Sequence, residues 1–515
     1  MKNKMIYFFI LICSHCCGQN RNVNWVFGDS AGINFNNINM PLPFSSSMVG
    51  RGSCVSFSDT LGNLICYSNT VANTNGYSTQ LWNKNNSIMQ NGDSIIGEAW
   101  YAELTFVPMP LHDDTIFLIS HSCINPNGLF YSKVDLNSNG NLGNVIKKNE
   151  TISLIKMGDC LQAIKHGNGR DWWIITKPSI NSGSKLNRFY VFKLDNNGVS
   201  TYTTTDFNNA TDATFQKIIF NNQGNKLIVI NFGGFMAEYN FDRCAGLLSN
   251  EKIIFPEQTS NFNRYFWEGA YSPNDSLFYC TSQWSSIQND TSRVLQFNLF
   301  SPNIPASCDT LFEIKYPKII GAIRLAPDNK IYFTTLYQFG FPSFPFPDSV
   351  RNIYNENLSV INYPDNIGNA CNLQPFSFYL GGKRTYGGLP NNPNYSLGRL
   401  LGSPCDTLQW TNLTPNPSPL GEGKLYATYV AAWEKLFVNA SGLKGKSVTV
   451  SIYDGRGSLK FEVRGLKSNA GYFTIDVNCA GGLASGERGA RWANGLYVVH
   501  LSTEKERLSK KFIKE

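Results

Sequence analysis

Residues 270–280, AYSPNDSLFYC, decide the fold, because the chain repeats their pattern. The stretch reads as a short strand, a Ser-Pro-Asn-Asp turn, and a second strand with alternating apolar residues. The same phrase returns as IIFNNQGNKLIVI at 218–230 and as IRLAPDNKIYFT at 323–334. Looser copies are CVSFSDTLGNLICY at 54–67, LTFVPMPLHDDTIFLIS at 104–120 and LQAIKHGNGRDWWIIT at 161–176. The six starts are spaced by roughly 50 to 60 residues, in the period range of propeller blades and related arrays. One copy cannot bury both faces of its own sheet, so the copies must pack on one another.

Each copy continues into further strands, as in 79–89, 129–146, 188–202 and 293–300. Asn-Gly and Asp-Asn pairs between them supply the left-handed backbone that tight hairpins need. Helical periodicity is almost absent, so the fold class is all-β. Residues 24–36, NWVFGDSAGINFN, read as two strands without the leading strand of later copies, and 383–391, KRTYGGLPN, as an orphan strand. Two chain ends sharing one blade would close a β-propeller of about seven blades over residues 20–403, with six as the alternative. Residues 337–350, YQFGFPSFPFPDSV, carry three prolines and read as an inserted loop.

Composition agrees with a β-rich exported protein: of 515 residues, 16% are charged and 13% aromatic. The net charge of +7 comes without a dense Lys/Arg tract, which argues against a nucleic-acid partner. At the N-terminus Lys2 and Lys4 precede an apolar run and small residues, a secretory signal pattern over 1–18. Ser14-His15 ahead of Cys16 and Cys17 is a poor match to a lipobox. No later run is long enough to cross a membrane as a helix. Thirteen cysteines, less Cys13, Cys16 and Cys17, leave ten, without a CxxC pair, which disfavours zinc. Cys54 and Cys66 flank one turn symmetrically and are the candidate disulfide.

Residues 404–423 read as a linker, Pro- and Gly-rich at NLTPNPSPLGEG, and 424–515 as a small β-sandwich. The tail resembles the type A C-terminal sorting domain of the type IX secretion system of Bacteroidetes. The resemblance rests on Pro415-Asn416-Pro417, residues 448–454 with Gly457, NGLYVV at 494–499, and the closing KKFIK at 510–514. Two low-complexity insertions, PSPLGEG at 417–423 and ASGERGAR at 484–491, depart from the pattern. The N-terminal region is similar to exported Bacteroidetes propeller-like proteins, through WVFG at 25–28, AGINF at 31–35, SDTLGNLICYSN at 58–69 and the LWN…MQNG phrase at 81–92. These resemblances imply export through the periplasm and across the outer membrane, with the type IX machinery as partner of the tail. They imply a secreted or cell-surface location.

Chemical motifs are sparse. Asp135–Gly140 resembles the start of a calcium loop, but Ile146 stands where the closing glutamate belongs, so a plain hairpin turn is the better reading. Glu98 and Glu103 could pair as glycosidase carboxylates only if the fold fixed their separation. No Ser-His-Asp or HExxH arrangement is legible, and no cofactor or metal is expected. Trp172, Trp173, Trp267, Trp284 and Tyr337 are candidate ligand-face aromatics, with blade-to-blade anchoring as the competing reading. An Asp-Ser/Thr-aliphatic pattern at Thr60, Ser94, Thr115, Ser276, Thr310, Ser349 and Thr407 looks like the O-glycosylation motif of exported Bacteroidetes proteins. Turn chemistry accounts for it equally, and either reading expects surface positions. The expected function is a non-catalytic binding scaffold for a surface glycan or protein. The alternatives are an extracellular hydrolase or lyase on polysaccharide or peptide, and a structural part of the cell surface or gliding apparatus.

Overall fold

The computed structural model describes residues 20–50, 52–70, 77–97, 104–122, 126–179, 187–209, 211, 215–258, 265–283, 291–337, 351–400 and 402–406. Further on it describes 426–430, 435–439, 447–454, 459–467, 472–476, 495–503 and 507–514. The chain forms two compact units, Met1–Asn416 and Pro417–Glu515. The expected leader, the 337–350 loop beyond its first residue, most of the linker, Glu98 and Glu103 lie outside the described residues.

The first unit contains seven antiparallel sheets in sequence order, which is the blade order of a propeller. Blade 1 is β1 (Asn24–Phe27), β2 (Asp29–Asn34) and β3 (Leu42–Val49). Blade 2 is β4 (Cys54–Ser58), β5 (Leu64–Thr70) and β6 (Thr79–Asn83). Blade 3 is β7 (Leu104–Pro108), β8 (Thr115–Ser122), β9 (Gly128–Asp135) and β10 (Asn144–Ser153). Blade 4 is β11 (Met157–Lys165), β12 (Trp172–Pro178), β13 (Asn187–Asp195) and β14 (Gly198–Phe207). Blade 5 is β15 (Gln216–Phe220), β16 (Lys226–Asn231), β17 (Met236–Asp242) and β18 (Leu247–Phe255). Blade 6 is β19 (Phe266–Tyr271), β20 (Leu277–Ser282), β21 (Thr291–Asn298) and β22 (Asp309–Lys315). Blade 7 is β23 (Lys318–Leu325), β24 (Ile331–Tyr337), β25 (Asn357–Ile361) and β26 (Leu373–Tyr379).

The six repeats are the first two strands of blades 2 to 7, and the seventh blade is the first, where the repeat is incomplete. Each inner sheet is sandwiched between its neighbours, so its strands bury both faces. All eight residues of β8 and all nine of β11 are buried, polar ones such as His121, Asp159, Gln162 and Lys165 included. Core clusters run from blade to blade: Phe57 of blade 2 meets Phe106 of blade 3 at 6.1 Å, and Trp25 of blade 1 meets Tyr332 of blade 7 at 6.2 Å.

The expected Cys54–Cys66 disulfide is absent. Antiparallel register sets Cys54 opposite Asn69 and Cys66 opposite Phe57, and both cysteines are buried and not bridged to each other. They belong to different core clusters, Cys54 with Trp25 and Tyr67, Cys66 with Phe57 and Phe106. The hairpin turn is centred at Leu61 rather than midway between the two cysteines, and a register shift at Ser58 adds to the offset, so Cys54 and Cys66 do not face each other.

The second unit contains β27 (Tyr426–Val430), β28 (Lys435–Asn439), β29 (Ser447–Asp454), β30 (Leu459–Lys467), β31 (Tyr472–Asp476), β32 (Gly495–Ser502) and β33 (Arg507–Lys514). One sheet is ordered β27-β28-β31 and the other β30-β29-β32-β33. Leu436 and Val438 of the first sheet pack against Val450, Ile452, Val499 and Leu501 of the second, which makes the unit a two-layer β-sandwich.

Candidate functional site

The innermost position of blade 1 is filled by the far end of the same unit, as a shared blade requires. Arg384 and Asp29 exchange backbone hydrogen bonds, and the Arg384 guanidinium donates to Asp29 Oδ2 through Nε at 3.0 Å and Nη2 at 2.8 Å. Beyond that single bridge the segment forms no ladder. It runs between blades 7 and 2: Ala322 N–H donates to the Gly387 carbonyl at 2.8 Å, and Asn391 N–H to the Cys54 carbonyl at 2.9 Å. At Gly388 a Cβ would lie 1.8 Å from the Gly52 carbonyl oxygen, so only glycine passes there.

Asn391, 2% exposed, then reaches into the central channel. Its Nδ2 donates to the carbonyls of Leu104 at 3.0 Å and Leu161 at 2.9 Å, on the inner strands of blades 3 and 4. Its Oδ1 accepts from Gln162 Nε2 and from Arg324 Nη2, each at 3.1 Å. Inner strands have an unpartnered edge facing the channel, and one carboxamide satisfies several of these orphan groups at once.

From there the chain crosses the face at which the inner strands end. Asn394 Nδ2 donates to the Asn222 carbonyl at 3.2 Å, and Tyr395 OH to the Phe106 carbonyl at 3.0 Å. Lys165 Nζ donates to the Tyr395 carbonyl at 3.1 Å, and burial with Arg21 and Arg243 nearby pushes its ammonium down to about 8. Arg243 donates from Nε to the Lys165 carbonyl at 2.8 Å and from Nη2 to the Gly398 carbonyl at 2.7 Å. A Cys244–Cys405 disulfide, 161 residues apart in sequence, ties the crossing segment to blade 5.

What the crossing segment leaves open is a cavity of about 650 Å³ at the channel mouth, within the usual range for ligand sites. Its wall comes from Gln162–Ile164 on β11, Ile219 and Phe220 on β15, Gly269–Tyr271 on β19 and Arg324 and Leu325 on β23. Asn20, Asn22 and Asn36 line it from the blade 1 side and 392–396 from the crossing segment. Carboxamides dominate the polar lining, and no carboxylate is among the described lining residues. The one cation among the described lining residues is Arg324, which pairs with Glu268 at 3.5 Å deeper in the channel, where Lys217 also pairs with Glu268 at 3.6 Å. Arg324 Nε has no hydrogen-bond partner among the described residues.

Among the described residues, the candidate aromatics Trp172, Trp173 and Trp267 do not form a ligand platform. Trp172 and Trp173 are 2% and 7% exposed. Trp172 packs edge-on against Tyr395 at 5.9 Å, beneath the crossing segment, while Trp173 stacks on His166 at 5.0 Å and donates its N–H to the Arg243 carbonyl. Trp267 is half-buried against Phe232 at 5.8 Å. Trp284 and the Tyr337 side chain lie outside the described residues. The bland reading, aromatics anchoring blades, holds for both tryptophans of blade 4. Of the Asp-Ser/Thr positions, Thr60, Ser94 and Thr310 are exposed and Ser276 half-buried, whereas Thr115 is buried at the start of β8 and bonded to Asp114. Ser349 and Thr407 lie outside the described residues. Asp135 is a turn residue: its carboxylate accepts from the Asn137 N–H and the Ser138 hydroxyl. No cluster of three or more metal-ligating side chains occurs among the described residues.

No protein-family model matches the chain, and no curated protein matches it. Among solved structures it is similar to a functionally unknown protein of Desulfotomaculum acetoxidans, at 14% identity and TM-score 0.38, over 72% of this chain and 98% of that one. It is similar to the periplasmic gluconolactonase of Pseudomonas aeruginosa, at 9% identity and TM-score 0.34, over 79% and 97%. A third is an auxiliary nutrient binding protein of Bacteroides thetaiotaomicron, at 12% identity and TM-score 0.31, over 61% and 67%. The seven-bladed assignment rests on this chain's own strand order. The protein is thus an all-β, seven-bladed propeller joined to a β-sandwich.

Proposed function

We propose that the first unit is a binding protein that takes an uncharged, hydroxyl-rich ligand, a neutral glycan, at the channel mouth. The observation that carries this reading is the amide-rich cavity, among whose described lining residues there is no carboxylate and one cation, Arg324, already paired with Glu268. Carboxamides both donate and accept, which matches sugar hydroxyls, and a wall without net charge neither attracts an anion nor repels a neutral ring. A glycosidase at this site would need two carboxylates flanking the ligand. The inner strands hold the wall rigid, so binding needs little ordering of the protein.

In the same reading the second unit is the sorting domain that directs export by the type IX system, and residues 1–18 are the leader. The Cys244–Cys405 disulfide supports an oxidising compartment, and the separate sandwich fits a detachable tail. The test of the binding role is an array of neutral, uronate-bearing and sulfated oligosaccharides probed with the full chain. Retention on neutral members, weakened at least about tenfold by Ser396→Trp at the exposed rim, is expected, a loss of roughly 1.4 kcal/mol. Retention on charged members alone, or binding indifferent to that substitution, would refute it.

A further inference from the structure

Blade 4 buries a lysine where none is needed for packing. Lys177, next to the end of β12, is 1% exposed, and Asn187, at the start of β13, is 0% exposed. The Lys177 ammonium donates to Asn187 Oδ1. The Asn187 Nδ2 donates in turn to Glu251 Oε1 of blade 5 at 2.8 Å and lies 2.6 Å from the Tyr239 hydroxyl, which itself donates to Glu251 Oε1 at 2.8 Å. Phe189 lies under the amine, 4.3 Å from Nζ to the ring centroid, and Phe189 and Tyr239 meet edge to face at 5.1 Å. An amine, a carboxamide and a carboxylate are thus held together in an aromatic pocket closed to solvent on the lysine side.

We propose that Lys177 and Asn187 form an intramolecular isopeptide bond, with Glu251 as the proton carrier. The reaction is an amide exchange that needs no oxidant, reductant or cofactor. The neutral Lys177 amine attacks Asn187 Cγ, so the Nζ–Cγ bond forms and the carbonyl π pair moves to Oδ1. Collapse of the tetrahedral intermediate breaks the Cγ–Nδ2 bond. The proton lost from Nζ passes through the Glu251 carboxylate to the departing nitrogen, which leaves as ammonia.

Each group suits its part. Burial, the largest influence, pushes the Lys177 ammonium down to about 8, so neutral amine is available near neutral pH, although Cys160, Glu251 and Glu257 oppose that shift. The contact to Oδ1 holds the amine beside the carbonyl it would attack, an intramolecular arrangement of the kind that replaces a bimolecular encounter. Glu251 sits on the leaving nitrogen, where general-acid help counts most. The product replaces a buried charge with a neutral amide. It also pins β12 to β13 on both sides of residues 180–186.

The test is the intact mass of the reduced full chain, with a tryptic map. Trypsin spares Lys177 because Pro178 follows it, and it cuts after Arg170, Lys185 and Arg188. The expected result is a chain lighter by one ammonia, with a branched peptide joining 171–185 to 186–188. Glu251→Gln should carry the full unreacted mass while keeping the wild-type circular dichroism, and Lys177→Arg likewise. A wild-type chain at full mass, yielding the two linear peptides, overturns the proposal without reference to any variant's folding.

Discussion

Replacing Asn391 with alanine removes one side chain and breaks hydrogen bonds to three blades. Two carbonyls, Leu104 and Leu161, lose their donor, and Gln162 and Arg324 lose their acceptor. Four bonds at about 1 kcal/mol each, one of them charge-assisted, set an upper value of roughly 4 to 5 kcal/mol. Water entering from the adjoining cavity can serve part of this set, which brings the expected loss to about 3 kcal/mol. The backbone bond from Asn391 N–H to the Cys54 carbonyl is untouched, so the segment's course need not change. The control is Asn394→Ala, on the exposed part of the same segment, where a surface amide is worth about 0.5 kcal/mol. Urea unfolding followed by the buried tryptophans Trp25 and Trp172 reads both variants. The Asn391 variant should unfold at clearly lower urea with an unchanged slope. A loss below about 1 kcal/mol, or one equal to the control, would refute the hub role.

Three further outcomes follow from the geometry. Asp29→Ala, which removes the carboxylate oxygen that accepts two N–H bonds from the nearly buried Arg384, should destabilise the ring by about 2 to 3 kcal/mol and hasten proteolysis at the blade 1 closure. His121 is fully buried, with neither ring nitrogen hydrogen-bonded among the described residues, and burial pushes its imidazolium down to about 4, Asp159 opposing and Lys217 reinforcing the shift. Because the folded protein holds it neutral, its contribution is complete above the ordinary value of 6.5 and is lost as pH falls from there toward 4, by about 3 kcal/mol, a slope that His121→Gln should remove. If the tail is the sorting domain, protein recovered from culture medium should begin near Gln19 and end before residue 424, while a full-length chain retained in washed cells would contradict export by that route.

The hairpins were legible because each is a local object: alternating residues about a turn need no knowledge of the rest of the ring. The incomplete first repeat and the orphan segment at 383–391 were legible for the same reason, and together they indicated a shared blade. The crossing segment was not, since Asn391 and Tyr395 bond to carbonyls of blades far away in sequence, and carbonyls leave no mark in a sequence. The Asn-rich run NNPNYSLGRLLG and the lone Cys405 behind it were the available signals. Trp172 and Trp173 were misleading because adjacent strand residues point to opposite faces, which usually exposes one of them. In a blade packed on both sides, both are core. Thr115 failed for a related reason: its turn is exposed, but the residue already belongs to the buried strand that follows.

The cavity wall exists because the unit's far end is threaded through blade 1, across the channel mouth and onto blade 5. A non-reducing peptide map of the alkylated protein tests it directly. The expected map has Cys244 joined to Cys405, with Cys54 and Cys66 recovered on peptides that are not joined to each other. A Cys54–Cys66 linkage, or a free Cys405 in oxidised protein, would contradict the threading and remove the wall on which the binding site rests.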